Sequence, residues 1–362
     1  MKPRFSHLTV HNLNTIEDID NCEVANSDSF SEFIIIDGIL GIGINGKLRE
    51  NIKRAIEVIN SSNGLTISVD VPSGLDPLTG QIHDVAVKPQ YTVSFHKVKT
   101  GIHKAGEEKV GGIVTCDIGI PIEAEYFINH GDMIKLNKRS LKSHKGNNGK
   151  VLIVGSKEYS GAPSIAGLAA IGAGADLVYV AAPESAALAI STHPDLIVNS
   201  LKGDYLTAIH AEEILKMADK VDAVLLGPGA GINDETGKLL NILASKIKKP
   251  LVLDADALKQ VKPQIIKNRD DVILTPHIFE FKSFFGKDIK LDLDSYDFAE
   301  VDENISEFQQ VVRQINGAVV VKGAIDLVIQ KNKFKLNKSG NPGMTVGGTG
   351  DALAGIATSL LS

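Results

Sequence analysis

The residues best placed to do chemistry stand near the C-terminus, in the string Asn341-Pro-Gly-Met-Thr-Val-Gly-Gly-Thr-Gly-Asp351-Ala-Leu-Ala-Gly355. Gly347, Gly348 and Gly350 let backbone N–H groups converge, and an apolar, helix-like run begins at Ala352. Converging amides at a helix start form an anion hole suited to phosphate, because the unpaired N–H groups and the helix dipole both favour negative charge. Asp351 could serve there as a helix cap. A carboxylate beside a bound phosphate is electrostatically costly, however. That cost favours a catalytic part, as base on a substrate hydroxyl.

Other polar motifs end apolar runs. Gly227-Pro-Gly229-Ala-Gly231 follows Asp222–Leu226, and its glycines would permit a ligand's close approach or simply a tight turn. Leu253-Asp254-Ala-Asp256-Ala257 offers two carboxylates that could hold Mg²⁺ or cap the next helix. Thr275-Pro-His277 and Val321-Lys322-Gly323 end two more runs; the lysine could meet phosphates or be a solvated strand end. Earlier, Asp37-Gly-Ile-Leu-Gly41-Ile-Gly43 and Ser68-Val-Asp70-Val-Pro-Ser73-Gly74-Leu-Asp76 place carboxylates before glycines, where turn formation is the plain alternative. Asp37 and Ser73, with nearby carbonyls, could supply oxygen ligands to a hard monovalent cation. Open α/β sheets bind ligands at the carboxyl ends of their strands, so this shared placement points to a nucleotide-phosphate site.

The elements that must position these groups are strands alternating with helices. Residues 33–37, 65–71, 91–95 and 112–117 read as strands, followed by 150–155, 177–182, 222–227, 250–255, 271–275 and 318–322. The later runs are continuously apolar, as parallel strands covered on both faces must be. Segments such as 166–175 and 211–218 show helical spacing. The expected class is α/β, with two three-layer α/β/α domains: residues 1–125, a polar and basic linker 126–143, and residues 144–362. Residues 164–182 read as a buried helix and strand rather than a membrane span, since they contain Asp176 and three glycines. The first part holds few strands for a doubly wound sheet, and the last run stops inside a helix. We therefore expect an incomplete chain.

Composition narrows the function. Among 362 residues the net charge is −6, which argues against a nucleic-acid or anionic-membrane partner. Aromatic residues are 5%, without Trp, so platforms for stacking single strands are not expected. Cys22 and Cys116 imply neither a disulfide framework nor a zinc site, and a cytoplasmic setting follows as the default.

The second part resembles the ADP/ATP-dependent NAD(P)H-hydrate dehydratase family, of ribokinase-like fold. The strings that carry the likeness are His144-Lys-Gly-Asn-Asn-Gly149, Tyr159-Ser-Gly-Ala162, Gly227-Pro-Gly229, Asp254-Ala-Asp-Ala-Leu258, Thr275-Pro-His277, Lys322-Gly323 and Asn341 to Asp351. The first part is similar to the NAD(P)H-hydrate epimerase domain, of Rossmann-like fold, through Asp37 to Gly43 and Ser68 to Asp76. The resemblance implies that Ala162, Gly229, His277 and Asp351 contact the hydrated nucleotide, and that Lys322, Gly323, Ala324, Ile325, Asp326 and Gly350 hold the adenine nucleotide. In the epimerase half it implies potassium on Asp37 and Ser73. Substrate contacts would come from Gly41, Ile42, Gly43, Ile44, Asn45, Gly46, Lys47 and the acid/base Asp70. The family's early Asn-Asn-Gly-Gly-Asp-Gly loop is absent from the sequence, and Ile278-Phe279-Glu280 stands where the family continues Pro-Gly-Glu.

By the same resemblance the substrates are NADHX or NADPHX with ADP or ATP, Mg²⁺ assists, and a homo-oligomer is expected. The chemistry is coherent. Hydroxide is a poor leaving group from a reduced nicotinamide ring, and phosphorylation makes it a good one. A kinase apparatus can therefore drive a dehydration. A small-molecule kinase of the same fold, or a non-catalytic nucleotide-binding scaffold, would carry similar motifs.

Overall fold

A strand that is apolar at every position is stable only where helices cover both faces of its sheet. In the computed structural model, the sequence from Lys150 onward meets that requirement with a nine-stranded sheet. The structure describes residues 34–43, 46–82, 84–133, 139–157, 160–289, 298–331 and 333–362. The chain divides into two units, residues 1–121 and 122–362.

The first unit holds four parallel strands in sequential order: β1 (Ile34–Asp37), β2 (Leu65–Val69), β3 (Tyr91–Phe95) and β4 (Gly112–Cys116). Helix α1 (Glu50–Ser61) connects β1 to β2, and α2 (Thr100–Ala105) lies between β3 and β4. Thr66, Ser68, Thr92 and Ser94 are buried, and Val71, Leu75, Ile102 and Val110 form a small core. Cys116 is exposed and unbridged, whereas Cys22 lies outside the described residues.

The second unit runs β5 (Lys150–Val154), β6 (Leu177–Pro183), β7 (Leu196–Leu201), β8 (Ala223–Leu226), β9 (Leu251–Leu253), β10 (Val272–Leu274), β11 (Ala318–Val321), β12 (Asp326–Gln330) and β13 (Lys333–Asn337). Their spatial order is 13-12-11-10-9-8-5-6-7, with only the β11–β12 and β12–β13 pairs antiparallel. Alternate residues feed opposite cores. Leu152 and Val154 pack with Val224, Leu226 and Leu253, while Val151 and Ile153 pack with Val178, Val180, Leu225 and Val252. Helices α3 (Gly161–Ala173), α4 (Asp234–Lys246), α5 (Ile278–Phe285) and α6 (Thr349–Leu361) matter most below. No helix among the described residues is long and apolar enough to cross a membrane; residues 164–182 are α3 running into β6.

Each expected strand forms, and three unexpected ones join them. Strands β7, β12 and β13 lie at the sheet margins, where half-solvated strands alternate apolar and polar residues and lose the continuous signature. Residues within the expected linker belong to the second unit: Tyr126 stacks on Phe334 at 5.2 Å, and the Ile128 N–H donates to the Leu336 carbonyl at 2.8 Å.

Candidate functional site

Strand order in the second unit reverses between β5 and β8. Connections there diverge, and a crevice opens beyond the strand tips. The two tips touch backbone to backbone. A Cβ on Gly155 would stand 2.1 Å from the Pro228 carbonyl oxygen, which also accepts the Ser156 N–H at 2.9 Å. Gly227 is bound to its identity twice, by φ of +119° and by the Asp254 carbonyl oxygen 2.0 Å from where a Cβ would be. Gly229, a predicted substrate contact, follows on that loop.

Among the described residues, five non-glycine residues with positive φ fall just past strand ends: Asp70 after β2, His96 after β3, Ser156 after β5, Ala255 after β9 and Lys331 in the β12–β13 turn. Such conformations cost on the order of 1–2 kcal/mol each and persist where the surroundings force them, often at ligand sites.

Helix α6 supplies the anion hole. Its N-cap is Gly348 at φ +95°, and no side chain caps it, so its first-turn amides are left for a ligand. Asp351 is the third residue of the helix and therefore not its cap. Burial, with the negative charge of Asp254 next in size, pushes its carboxyl up to about 6, against a smaller pull from Lys322. Lys322, at the end of β11, donates to Asp254 Oδ1 at 3.1 Å, and its Nζ lies 3.2 Å from where a Cβ on Gly350 would stand. Thr275 Oγ1 donates to the same oxygen at 2.8 Å.

His277 bridges to Lys322 across the strand tips. Its Nδ1 accepts the N–H groups of Phe279 and Glu280, at 3.1 and 3.2 Å, while Glu280 accepts the His277 N–H at 3.0 Å. This reciprocal cap starts α5 without the family's usual turn residues. It also assigns the tautomer: with Nδ1 accepting, the neutral ring carries its proton on Nε2.

The remaining predicted positions sort plainly. Gly323, Ala324, Ile325 and Asp326 make the turn from β11 to β12, closed by the Gly323 N–H on Asp326 Oδ1 at 3.1 Å. Ala162 opens α3, one turn before Ile165, whose Cδ1 lies 2.6 Å from where a Cβ on Gly348 would stand. The Gly146 and Asn148 N–H groups of the His144–Gly149 string donate to Asp176. Tyr159 lies outside the described residues. Asp256 closes the glycine loop after β8 through the Gly231 N–H, at 2.9 Å, and Asp254 is taken by Thr275 and Lys322. No cluster of three metal-binding side chains exists among the described residues.

In the first unit, Asp37 is fully buried. Its oxygens accept Ser68 Oγ (2.7 Å), Ser73 Oγ (2.6 Å), the Ser73 N–H (2.9 Å) and the Ile39 N–H (3.4 Å). No cationic side chain pairs with it among the described residues, and a buried carboxylate calls for a compensating charge. With Ser73 Oγ and the Leu40 carbonyl 3.4 Å apart beside it, this oxygen set fits K⁺.

Beyond the tips of β2 and β3 lies a cavity of about 650 Å³, lined by Ile42, Asp70, Leu78, Phe95, Lys99 and Ile118 among others. The Lys99 ammonium pairs with Asp70 Oδ1 and donates to the Phe95 carbonyl at 2.9 Å; the Phe95 N–H donates to Asp70 Oδ1 at 2.9 Å. Lys99, unlike Asp70, carries no signal in the sequence. Gly41 and Gly43 have open space around them, and Gly46 has φ of +77°. The loop's far end, after Lys47, is pinned by the Leu48 N–H, which holds the Asp84 carboxyl below its ordinary value. Ile44 and Asn45 lie outside the described residues.

Comparison with known proteins places both units. A family model described as NAD(P)H-hydrate dehydratase matches residues 150–362, and one described as YjeF-related protein N-terminus matches residues 4–101. The bifunctional NAD(P)H-hydrate repair enzyme of Methanothermobacter thermautotrophicus is 46% identical over 94% of this chain and 65% of its own length. That of Pyrobaculum aerophilum is 41% identical over 91% and 65%. The chain thus spans about two thirds, 65%, of the length of these relatives. A ribokinase-like superfamily protein from Enterococcus faecalis superposes with a TM-score of 0.53 at 21% identity, over 67% of this chain and 81% of that one, which establishes the ribokinase-like fold.

Proposed function

The chain belongs to the NAD(P)H-hydrate dehydratase family, and from that premise we propose that its second unit dehydrates hydrated nicotinamide nucleotide at the expense of ADP or ATP. The first unit, in this reading, interconverts the R and S hydrates. The observation that carries the dehydratase is Asp351, a half-buried carboxylate raised to about 6, in the first turn of an uncapped helix.

Asp351 takes the proton of the substrate hydroxyl, and that oxygen attacks the terminal phosphorus of the nucleotide. The P–O bond to the leaving phosphate breaks, and the amides of Gly347 to Gly350 and the Lys322 ammonium receive the developing charge. The ring nitrogen's electron pair then expels phosphate to leave an iminium. Loss of a proton from the adjacent ring carbon to the departing phosphate or water forms the ring double bond and restores the reduced nicotinamide. His277, with Nδ1 taken by two backbone N–H groups, would meet the substrate only through Nε2, which lies 3.5 Å from Glu280 Oε1. Mg²⁺ would come with the nucleotide's phosphates and neutralise part of their charge.

Mixing the chain with hydrated NADH, Mg²⁺ and ADP or ATP should raise the reduced-nicotinamide absorbance and release free phosphate mole for mole. Phosphate retained on the product would indicate a kinase instead. Because Asp351 must be ionised to act, the rate should fall about tenfold from pH 8 to pH 5, with its acid limb centred near 6 in a pH–rate profile.

In the first unit, Asp70 would move the proton of the same hydroxyl while Asp37 and Ser73 hold K⁺. Lys99→Ala should slow interconversion of the hydrates by roughly 10- to 100-fold, followed by NMR of the two diastereomers, because Asp70 Oδ1 loses a partner that fixes it.

A further inference from the structure

Asp254, at the tip of β9, is 2% exposed, too deep to reach a substrate. The sequence offered it as a Mg²⁺ ligand or a cap, and it does not cap the next helix, whose N-cap is Ala255. Its Oδ1 gathers the Thr275 hydroxyl and the Lys322 ammonium, from the ends of β10 and β11. The lysine is 22% exposed, so the pair is sheltered while its Nζ still reaches the first turn of α6 at Gly350. An unpaired lysine is a point charge on a flexible four-carbon stem. A lysine anchored on a buried carboxylate keeps one direction.

We infer that Asp254 is a positioning residue of the phosphate site: it holds the Lys322 ammonium against the first turn of α6, so that a transferring phosphate meets a fixed cation. The inference rests on the dehydratase reading of this unit. Asp254 has a second effect through charge. Asp351 feels the negative charges of Asp254, Asp256 and Glu280, opposed by Lys322. Removing the Asp254 charge makes Asp351 a weaker base and carries the acid limb of the rate to lower pH.

Asp254→Asn keeps the side chain's size and a partner for Thr275. It should raise the nucleotide KM about tenfold and shrink the rate ratio between pH 8 and pH 5 from about ten to about three. In a Lys322→Met background the same change should raise the nucleotide KM less than about twofold, because the anchor then has nothing to hold. An unchanged acid limb, or an equal KM increase with and without Lys322, overturns the inference. Should Asp254→Asn fail to fold, Thr275→Val tests the same oxygen with the charge kept. Its acid limb should stay in place while KM rises about threefold, and an unchanged KM overturns the inference. If the unaltered chain neither binds ADP nor releases phosphate, the dehydratase reading fails and takes the inference with it. If it turns over and these variants match it, the inference alone fails.

Discussion

Asp351→Asn should abolish nucleotide-dependent water loss and, at neutral pH, make the protein more stable. The first effect is the loss of a general base, about 10²- to 10⁴-fold in rate. The second follows from linkage. The carboxyl's ordinary value is 3.8 and its folded value about 6, so ionisation is disfavoured in the fold. Below pH 3.8 both states are protonated and nothing is lost; as pH rises through 6 the folded protein must carry an unwelcome charge. The full difference would be about 3 kcal/mol, and solvent screening of a half-buried group reduces it to about 1–2 kcal/mol. Thermal unfolding should show the Asn variant several degrees ahead at pH 7.5 and level with the parent near pH 3.5. A gap that does not depend on pH, or turnover at the parental rate, would falsify the assignment.

Gly355→Ala should be among the most damaging single methyl additions in the second unit. Gly355 lies one turn beyond Asp351 in α6, against α3, and an added Cβ would stand 2.0 Å from the Ala166 carbonyl oxygen and 2.9 Å from its Cα. Both obstacles are backbone, so the helices must separate. The expected loss is about 3 kcal/mol or more in urea unfolding. The anion hole, one turn away, should move with α6, so kcat should fall in the protein that remains folded. Gly172→Ala is the control. It sits in α3 with nothing within 4 Å of the new atom, and it should stabilise by about 0.5–1 kcal/mol. Equal effects at the two sites would show that helix propensity, not the helix–helix contact, governs Gly355.

Much of this architecture was legible because buried parallel strands have an unmistakable composition. Val151 to Val154 or Ala223 to Leu226 can be nothing else. Strands β12 and β13 were not, since Lys333, Lys335 and Asn337 interrupt the apolar pattern as a half-solvated margin requires. At the site, His277, Lys322 and Asp351 could be gathered on one edge from their places at element ends. What Asp254 does there could not, because its partners arrive 21 and 68 residues later in the chain. Lys99 was invisible for the same reason: it meets Asp70 across 29 residues.

The margin that hid β13 from the sequence has a use. On that flank the Leu336 carbonyl is taken by Ile128, and Lys338 lies over the Phe127 ring at 4.3 Å. The Lys335 ammonium donates to the Phe127 carbonyl at 3.4 Å and pairs with Asp132 at 3.6 Å, and Lys333 is exposed. A strand from another molecule docking there would have to bury those charges and displace residues 127–128. The flank therefore resists the edge-to-edge growth that leads to fibrils and inclusion bodies.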